Sequence, residues 1–147
     1  MPGLRWIQLT EDERDAFLGR GGTGVLSFTT AADESPTSFP VSYGYAAETS
    51  TFYFRLAFPP GSHRELIVDR PMSFVTATET DRGWRSVVAT GLLEDVEEMP
   101  YESVTVQEMW AIDIPTVDIF EQPRSEVPFH DFCLEPDAIT GRKEVEP

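Results

Sequence analysis

Apolar and polar positions alternate along much of the chain, which indicates short β-strands. The clearest case is residues 51–57, where Phe52, Phe54 and Leu56 share one face of a half-buried strand. Five further stretches have a β-rich composition or the same period of two: 25–30, 39–45, 72–78, 84–96 and 129–135. The pattern therefore predicts six strands, and the fifth is long enough to bend at Gly91.

Two or three short helices accompany these strands. Thr10 and Glu13 have the spacing of a capping box, ahead of an apolar run that stops at glycines. Ser62 and Glu65 repeat that spacing after a Pro-Pro-Gly turn and predict a second helix start. Residues 100–112 mix strand and helix formers, and we interpret them as a helix.

The number of strands and their short connections favour a closed antiparallel barrel, because closure removes exposed strand edges. A chain of 147 residues is long enough to bury one core and short for two. We therefore expect a mainly β fold with short helices, in a single domain over residues 1–147. Residues 136–147 are rich in charge and are predicted to form a flexible tail.

The net charge of -15 argues against binding to nucleic acid or to an anionic membrane, since both attract clustered cations. Lys143 is the only lysine, and every other basic residue among the 11 is an arginine. Acid richness with almost no lysine is typical of proteins from salt-loving organisms, in which molar salt screens self-repulsion. The alternative is an ordinary acidic protein of the cytosol.

Other classes of site and location are disfavoured by what the sequence lacks. Cys133 is the only cysteine, so no internal disulfide forms and a reducing compartment is expected. No apolar run approaches the ~18 residues that span a bilayer, nor does the N-terminus have the apolar run of a signal peptide. We therefore expect a cytoplasmic protein. No His-x-x-x-His or Cys-x-x-Cys spacing occurs, and no metal site is predicted.

Residues 51–67 carry the most distinctive chemistry, because a strand, a turn and a helix start follow one another there. A helix N-terminus attracts anions through its free N–H groups, and Arg55 and Arg64 lie on either side of the turn. This stretch is therefore a candidate site for the phosphate of a cofactor. In the alternative reading Arg55 pairs with one of the many acids, and Ser62 only caps its helix.

Four segments in this order resemble the FMN-binding split-barrel proteins of the pyridoxamine 5'-phosphate oxidase-like superfamily. They are Gly24-Val25-Leu26-Ser27-Phe28 after a helix, Phe39-Pro40-Val41-Ser42-Tyr43, Ser62-His63-Arg64 after a strand and turn, and Trp84-Arg85-Ser86-Val87-Val88-Ala89-Thr90-Gly91. The resemblance implies a six-stranded antiparallel Greek-key split barrel. It also implies a homodimer that holds FMN in clefts between its subunits.

Carried over residue by residue, the resemblance implies that Arg55, Ser62 and Arg64 hold the FMN phosphate. It also implies that Val41, Ser42 and Leu56 are backbone neighbours of the flavin ring, that Ser86 presents a hydroxyl beside the cofactor, and that Trp84 and Trp110 close the cleft of the ring. His63, between Ser62 and Arg64, is a further candidate phosphate ligand. Family members usually have a lysine where Arg64 stands, and an arginine suits a phosphate as well because it presents two donors in a fork.

The function that the resemblance implies is an FMN-dependent oxidoreductase or flavin carrier. The basic and aromatic residues by which true pyridoxamine phosphate oxidases bind the phosphate of their substrate are not found here. Two different functions are also open: a reductase of the same barrel that uses the deazaflavin F420, and a non-catalytic module that binds or senses a flavin. No side chain is identified as catalytic, and His130 is interpreted as a packed strand residue.

Overall fold

The computed structural model describes residues 5–19, 21–57, 67, 69–112, 114 and 129–145. The strands are β1 (Arg5–Gln8), β2 (Gly22–Phe28), β3 (Thr37–Ala46), β4 (Thr51–Ala57), β5 (Met72–Thr80), β6 (Gly83–Gly91), β7 (Leu93–Asp95), β8 (Phe129–Leu134) and β9 (Ala138–Val145). The helices are α1 (Glu11–Leu18) and α2 (Val104–Ala111), and a short 3-10 turn covers Val96–Glu98.

All neighbouring strands are antiparallel, in the order β1-β9-β6-β5-β2-β3-β4-β8-β7. β6 is the third strand of this order and β7 is the last, yet a single residue separates the two strands in the chain. The sheet must therefore curl round until its last strand, β7, lies next to the end of β6. The barrel wall consists of β2, β3, β4, β5, β8 and the continuous pair β6 and β7. These six correspond to the six strands that the sequence predicts, and the split-barrel class is confirmed.

The bend that closes the barrel lies at Gly91, as the sequence predicts. Its φ is +155°, and a Cβ added there would lie 2.9 Å from Cδ1 of Leu134. The positive φ disfavours residues other than glycine, and a side chain there would also require Leu134 to shift. A glycine at this one position therefore lets a single stretch of chain serve two sides of the barrel.

The flexible tail predicted for residues 136–147 is wrong for Ala138–Val145, which form β9. This strand pairs with β6 on one side and with β1 on the other. Its inward positions include Ile139 and the buried Gly141, while exposed Arg142 faces outward. Backbone pairing to two strands holds β9 in place, and that kind of stabilisation leaves little trace in side-chain composition.

Aromatic side chains form a large part of the barrel interior. Phe52, Phe54 and Phe74 are fully buried, and the ring centroids of Phe54 and Phe74 lie 4.9 Å apart. Burying each such ring contributes roughly 1.5–3 kcal/mol. The alternation predicted for residues 51–57 is confirmed, because the phenylalanines of β4 face the core while Arg55 points out.

The two helices cover different parts of the barrel. α1 begins at the predicted capping box, with Thr10 and Glu13 bonded reciprocally, and buries Leu18. α2 confirms the helix predicted within 100–112, and it packs Val106 and Met109 onto the outward side of β4 and β8. Among the described residues, none of the helices has the length and apolar character required to cross a bilayer.

Candidate functional site

Three polar side chains lie side by side on the outer face of the barrel, on strands β3, β4 and β8. Ser42 is in register with Arg55, and Arg55 is in register with Asp131. Nε of Arg55 donates a hydrogen bond to Oδ1 of Asp131 at 3.0 Å. These side chains are 38% and 18% exposed, so the ion pair lies at the surface of the sheet and not in the core.

The alternative reading of Arg55, as a strand residue paired with an acid, is therefore met in this structure. Pairing does not exclude a second role, because a guanidinium carries five N–H donors and Asp131 binds the one on Nε. The carboxylate fixes the plane of the guanidinium at the same time. It also repels any anion that approaches, so an anion at Arg55 must outweigh a negative neighbour.

Val41 and Leu56, two of the positions implied beside the ring, turn their side chains into the core. Each side chain is only 6% exposed. They can therefore offer a ligand their backbone alone, which agrees with the role that the resemblance implies. Ser42, which follows Val41 on β3, is half-buried, and its hydroxyl lies on the outer face next to Arg55.

Ser86 and Trp84 lie on the same outer face but far from Arg55 along the sheet. Three strands, β5, β2 and β3, stand between β6 and β4 in the hydrogen-bonded order. At about 4.8 Å per strand, the path from Ser86 to Arg55 is roughly 19 Å. Trp84 is 43% exposed. One chain thus does not bring the two halves of the implied ring site together.

Trp110 lies on the outward side of α2. It is 53% exposed and packs edge-on against Tyr101, with ring centroids 4.7 Å apart. Ser62, His63 and Arg64 fall outside the described residues, so their part of the phosphate site is still a prediction. The described half of that site consists of Ser42, Arg55 and the backbone of β3 and β4.

His130 directly precedes Asp131 on β8, faces the opposite side of that strand and lies close to two carboxylates, an arrangement that was not predicted from sequence. His130 is in register with Leu56, and its Nε2 lies 2.9 and 3.0 Å from the two oxygens of Asp95. Its Nδ1 lies 3.0 Å from Oε2 of Glu97. His130 also packs against Phe132, as interpreted from sequence, with ring centroids 5.0 Å apart.

The sequence offers no signal for this cluster, because 35 residues separate His130 from Asp95. Only the pairing of β7 with β8 brings them together. The same holds for Asp131, whose partner 76 residues away is set by strand register. Ionic partners on a sheet lie on neighbouring strands, and the register that pairs them cannot be predicted from the spacing of residues within one strand.

Two potential nucleophiles close to the site, Cys133 and Tyr53, have raised pKa values. Burial raises the pKa of the Cys133 thiol to about 12. Burial, and then the hydrogen bond that its hydroxyl donates to Oε1 of Glu108 at 2.6 Å, raises the pKa of Tyr53 well above its usual range. These groups anchor α2 on the sheet, and neither supplies a thiolate or phenolate.

Solved structures with the same fold include two flavoproteins. The FAD-binding protein from Mesorhizobium loti is 19% identical, with a TM-score of 0.66 over 98% of this chain and 100% of its own. The FAD binding protein from Mycobacterium smegmatis is 18% identical, with a TM-score of 0.62 over 93% of this chain and 98% of its own.

A FAD and heme binding protein from Mycobacterium smegmatis shares the fold more loosely, at 14% identity and a TM-score of 0.57. The match covers 95% of this chain and 74% of the chain of that protein. No curated protein sequence matches the chain significantly. The family profile of pyridoxamine 5'-phosphate oxidase matches residues 10–143. That match spans the barrel from α1 to β9, and the chain therefore belongs to the pyridoxamine 5'-phosphate oxidase family.

Proposed function

We propose that the protein binds FMN on the outer face of β3 and β4, with the phosphate held by Arg55, Ser62 and Arg64. The observation that carries this proposal is Arg55 itself, which points outward beside the hydroxyl of Ser42 in a family member. A charged fork next to a hydroxyl suits a phosphate. Family membership supports a cofactor at this corner of the barrel.

The residues fit the proposed group in part. Arg55 and Ser42 supply donors, and the buried neighbours Val41 and Leu56 leave the backbone of both strands as a flat wall. Asp131 is the opposing feature, because its carboxylate lies beside the same guanidinium. In this proposal Asp131 orients Arg55, and the two further ligands on residues 62–64 supply the remaining attraction.

We also propose that the protein is a homodimer. Val25, Val75 and Val88 lie in one register row across β2, β5 and β6, on the outer face. They are 40%, 39% and 37% exposed. An unbroken apolar row on a barrel surface favours burial against another copy, and a two-fold interface needs only one self-complementary patch.

The dimer would also explain why the implied cofactor residues are divided. Strands β5 and β2, which carry Val75 and Val25, separate Ser86 on β6 from Ser42 and Arg55 on β3 and β4. A dimer through this face would bring β6 of one protomer next to β3 and β4 of its partner. Each cleft would then contain both halves of the site, with Trp84 at its edge.

In this proposal the protein is an oxidoreductase. A bound flavin would supply hydride or electron transfer, while the chain's own groups hold and orient it. No described side chain is assigned as an acid or base in this proposal. A second candidate cofactor is FAD, which two structures of the same fold bind according to their names. F420 is a third candidate cofactor, and flavin sensing without catalysis is a second candidate function.

The visible spectrum of the purified protein tests the cofactor. We expect a yellow sample whose released cofactor has the mass of FMN. A released mass of FAD or F420 would replace the cofactor but keep the site. The double variant Arg55→Met with Arg64→Met should be colourless, whereas Arg70→Met should keep the flavin. Full flavin occupancy in the double variant would refute the site.

Sedimentation or light scattering tests the dimer. Val75→Asp should give a monomer, because it buries a charge at the centre of the proposed interface. Val104→Asp is the matched control, since Val104 is 78% exposed on α2, away from the row. A Val75→Asp protein that keeps the mass of the wild type would exclude this face.

Turnover of NADH or NADPH with an electron acceptor separates an enzyme from a flavin holder. We expect the flavin-loaded protein to oxidise one of the two nucleotides. A folded, fully loaded protein that turns over neither, with several acceptors, would favour a non-catalytic flavin-binding role.

A further inference from the structure

Arg85 lies between α1 and the hairpin that joins β5 to β6, and it is almost enclosed. Its side chain is 15% exposed, and its Nε is buried without a hydrogen-bond partner. Within the described residues it makes no hydrogen bond at all. Its ion pair with Glu13 is long, at 3.7 Å between Nη2 and Oε2. One of the five donors of this guanidinium is thus buried and lacks an acceptor.

The carboxylate of Glu13 does not accept a hydrogen bond from Nε of Arg85, and both of its oxygens already have other partners. Nζ of Lys143 donates to its Oε2, and the N–H of Thr10 donates to its Oε1 at 3.1 Å. The hydrogen bond from Lys143 is the main cause that lowers the pKa of Glu13 to about 2. One carboxylate is therefore shared by two cations, and positive charge remains on Arg85.

A cavity of about 280 Å³ opens beside this arginine. Its lining residues are Ala16, Phe17, Thr80, Asp81, Arg82 and Arg85. Two of the six are arginines and one is an acid, so the lining carries a formal charge of +1. That balance contrasts with a chain of net charge -15. A buried Nε donor without an acceptor, beside a cavity lined by two arginines and one acid, favours an anionic acceptor there.

We propose that this cavity binds the oxyanion group, phosphate or carboxylate, of a small molecule, with Arg85 and Arg82 as its donors. The volume lies just below the range of sites for drug-sized ligands, so a flavin does not fit and a small anion does. Arg85 and Ser86 are consecutive on β6 and point to opposite sides of the strand. The site is thus separate from the proposed flavin face.

Binding of inorganic phosphate, measured by calorimetry with chloride controls at equal ionic strength, tests the site. Succinate serves as the second probe and separates a phosphate preference from a carboxylate preference. We expect saturable binding to the wild type, about tenfold weaker in Arg85→Met and about threefold weaker in Arg82→Met. Arg70→Met is the charge-matched control, because Arg70 precedes β5 and its Nη1 donates to the carbonyl of Thr29. It should bind like the wild type.

Glu13→Gln provides a test in the opposite direction. Glutamine still completes a capping box, so the helix start is kept. Removing the shared carboxylate leaves Arg85 and Lys143 less neutralised, and anion affinity should rise severalfold. This variant also decides the matter if Arg85→Met does not fold. No binding of either probe by the wild type, equal binding in Arg85→Met, or weaker binding in Glu13→Gln would overturn the proposal, whatever the flavin content.

Discussion

Two arginines on opposite sides of the barrel wall have opposite surroundings. Arg55 is 38% exposed, yet its Nε is hydrogen-bonded to Asp131 at 3.0 Å. Arg85 is 15% exposed, and its Nε has no partner. Burial usually demands more hydrogen bonding, and here the more buried cation has less.

This difference shows that sequence patterns and unsatisfied hydrogen bonds in the structure identify different residues as candidate ligands. Arg55 stands out in the sequence because it precedes a turn and a helix start, but the fold already gives it a carboxylate. Arg85 lies in an ordinary strand pattern in the sequence. Only the tertiary structure, which packs α1 beside it, shows that its buried Nε has no acceptor. Arg55 is thus proposed as a ligand because of a family resemblance, and Arg85 is proposed as a ligand because its buried Nε lacks an acceptor.

Flavin affinity should separate the two arginines most strongly. Arg55→Met removes a charged donor from the proposed phosphate site, and we expect affinity for FMN to fall about 10- to 100-fold. Arg85→Met should leave it within twofold. Fluorescence titration of the apoprotein with FMN measures both. Equal losses in the two variants would show that general positive charge, and not position, governs binding.

Asp131→Asn should act in the opposite direction to Arg55→Met. Removing the carboxylate next to the proposed phosphate should tighten FMN binding roughly 3- to 10-fold, because a repulsive charge disappears. The same change in an Arg55→Met background should have a smaller effect, if Asp131 acts partly through Arg55. Weaker binding in Asp131→Asn alone would mean that orientation of Arg55 outweighs repulsion.

The free energy of unfolding should respond to the two arginines with opposite sign. Arg55→Met breaks a half-exposed ion pair, and we expect a loss of at most about 1 kcal/mol. Arg85→Met removes the buried Nε donor that lacks an acceptor, and we expect no loss or a gain of about 1 kcal/mol. Denaturant unfolding without ligands measures both. A large loss in Arg85→Met would reveal a stabilising role for Glu13 as its partner.

The smallest effect concerns acid pH. The hydrogen bond from Lys143 helps to lower the pKa of Glu13 from 4.5 to about 2. A lowered pKa stabilises the fold above about pH 4.5, and that contribution is lost as the pH falls toward 2. Unfolding free energies of wild type and Glu13→Gln should therefore differ by a constant above pH 4.5 and converge below it. A difference that does not change with pH would contradict the ion pair.

Much of the fold follows from the sequence, for identifiable reasons. Alternation with a period of two locates the six barrel strands, since the buried side of each strand must be apolar. Thr10 with Glu13 marks the start of α1, and Gly91 marks the closing bend, because both are local constraints. β9 escapes prediction since pairing on both edges holds it with few buried side chains.

The candidate site also combines features that local sequence determines with features that only the tertiary structure determines. The sequence alone determined which face Arg55 and Ser86 occupy, because strand alternation assigns faces without knowledge of neighbours. Only the tertiary structure decided that Asp131 lies beside Arg55, that His130 meets Asp95, and that Arg85 is enclosed without acceptors. Those contacts join residues far apart in the chain, and they depend on strand register and helix packing, which no short stretch of sequence encodes.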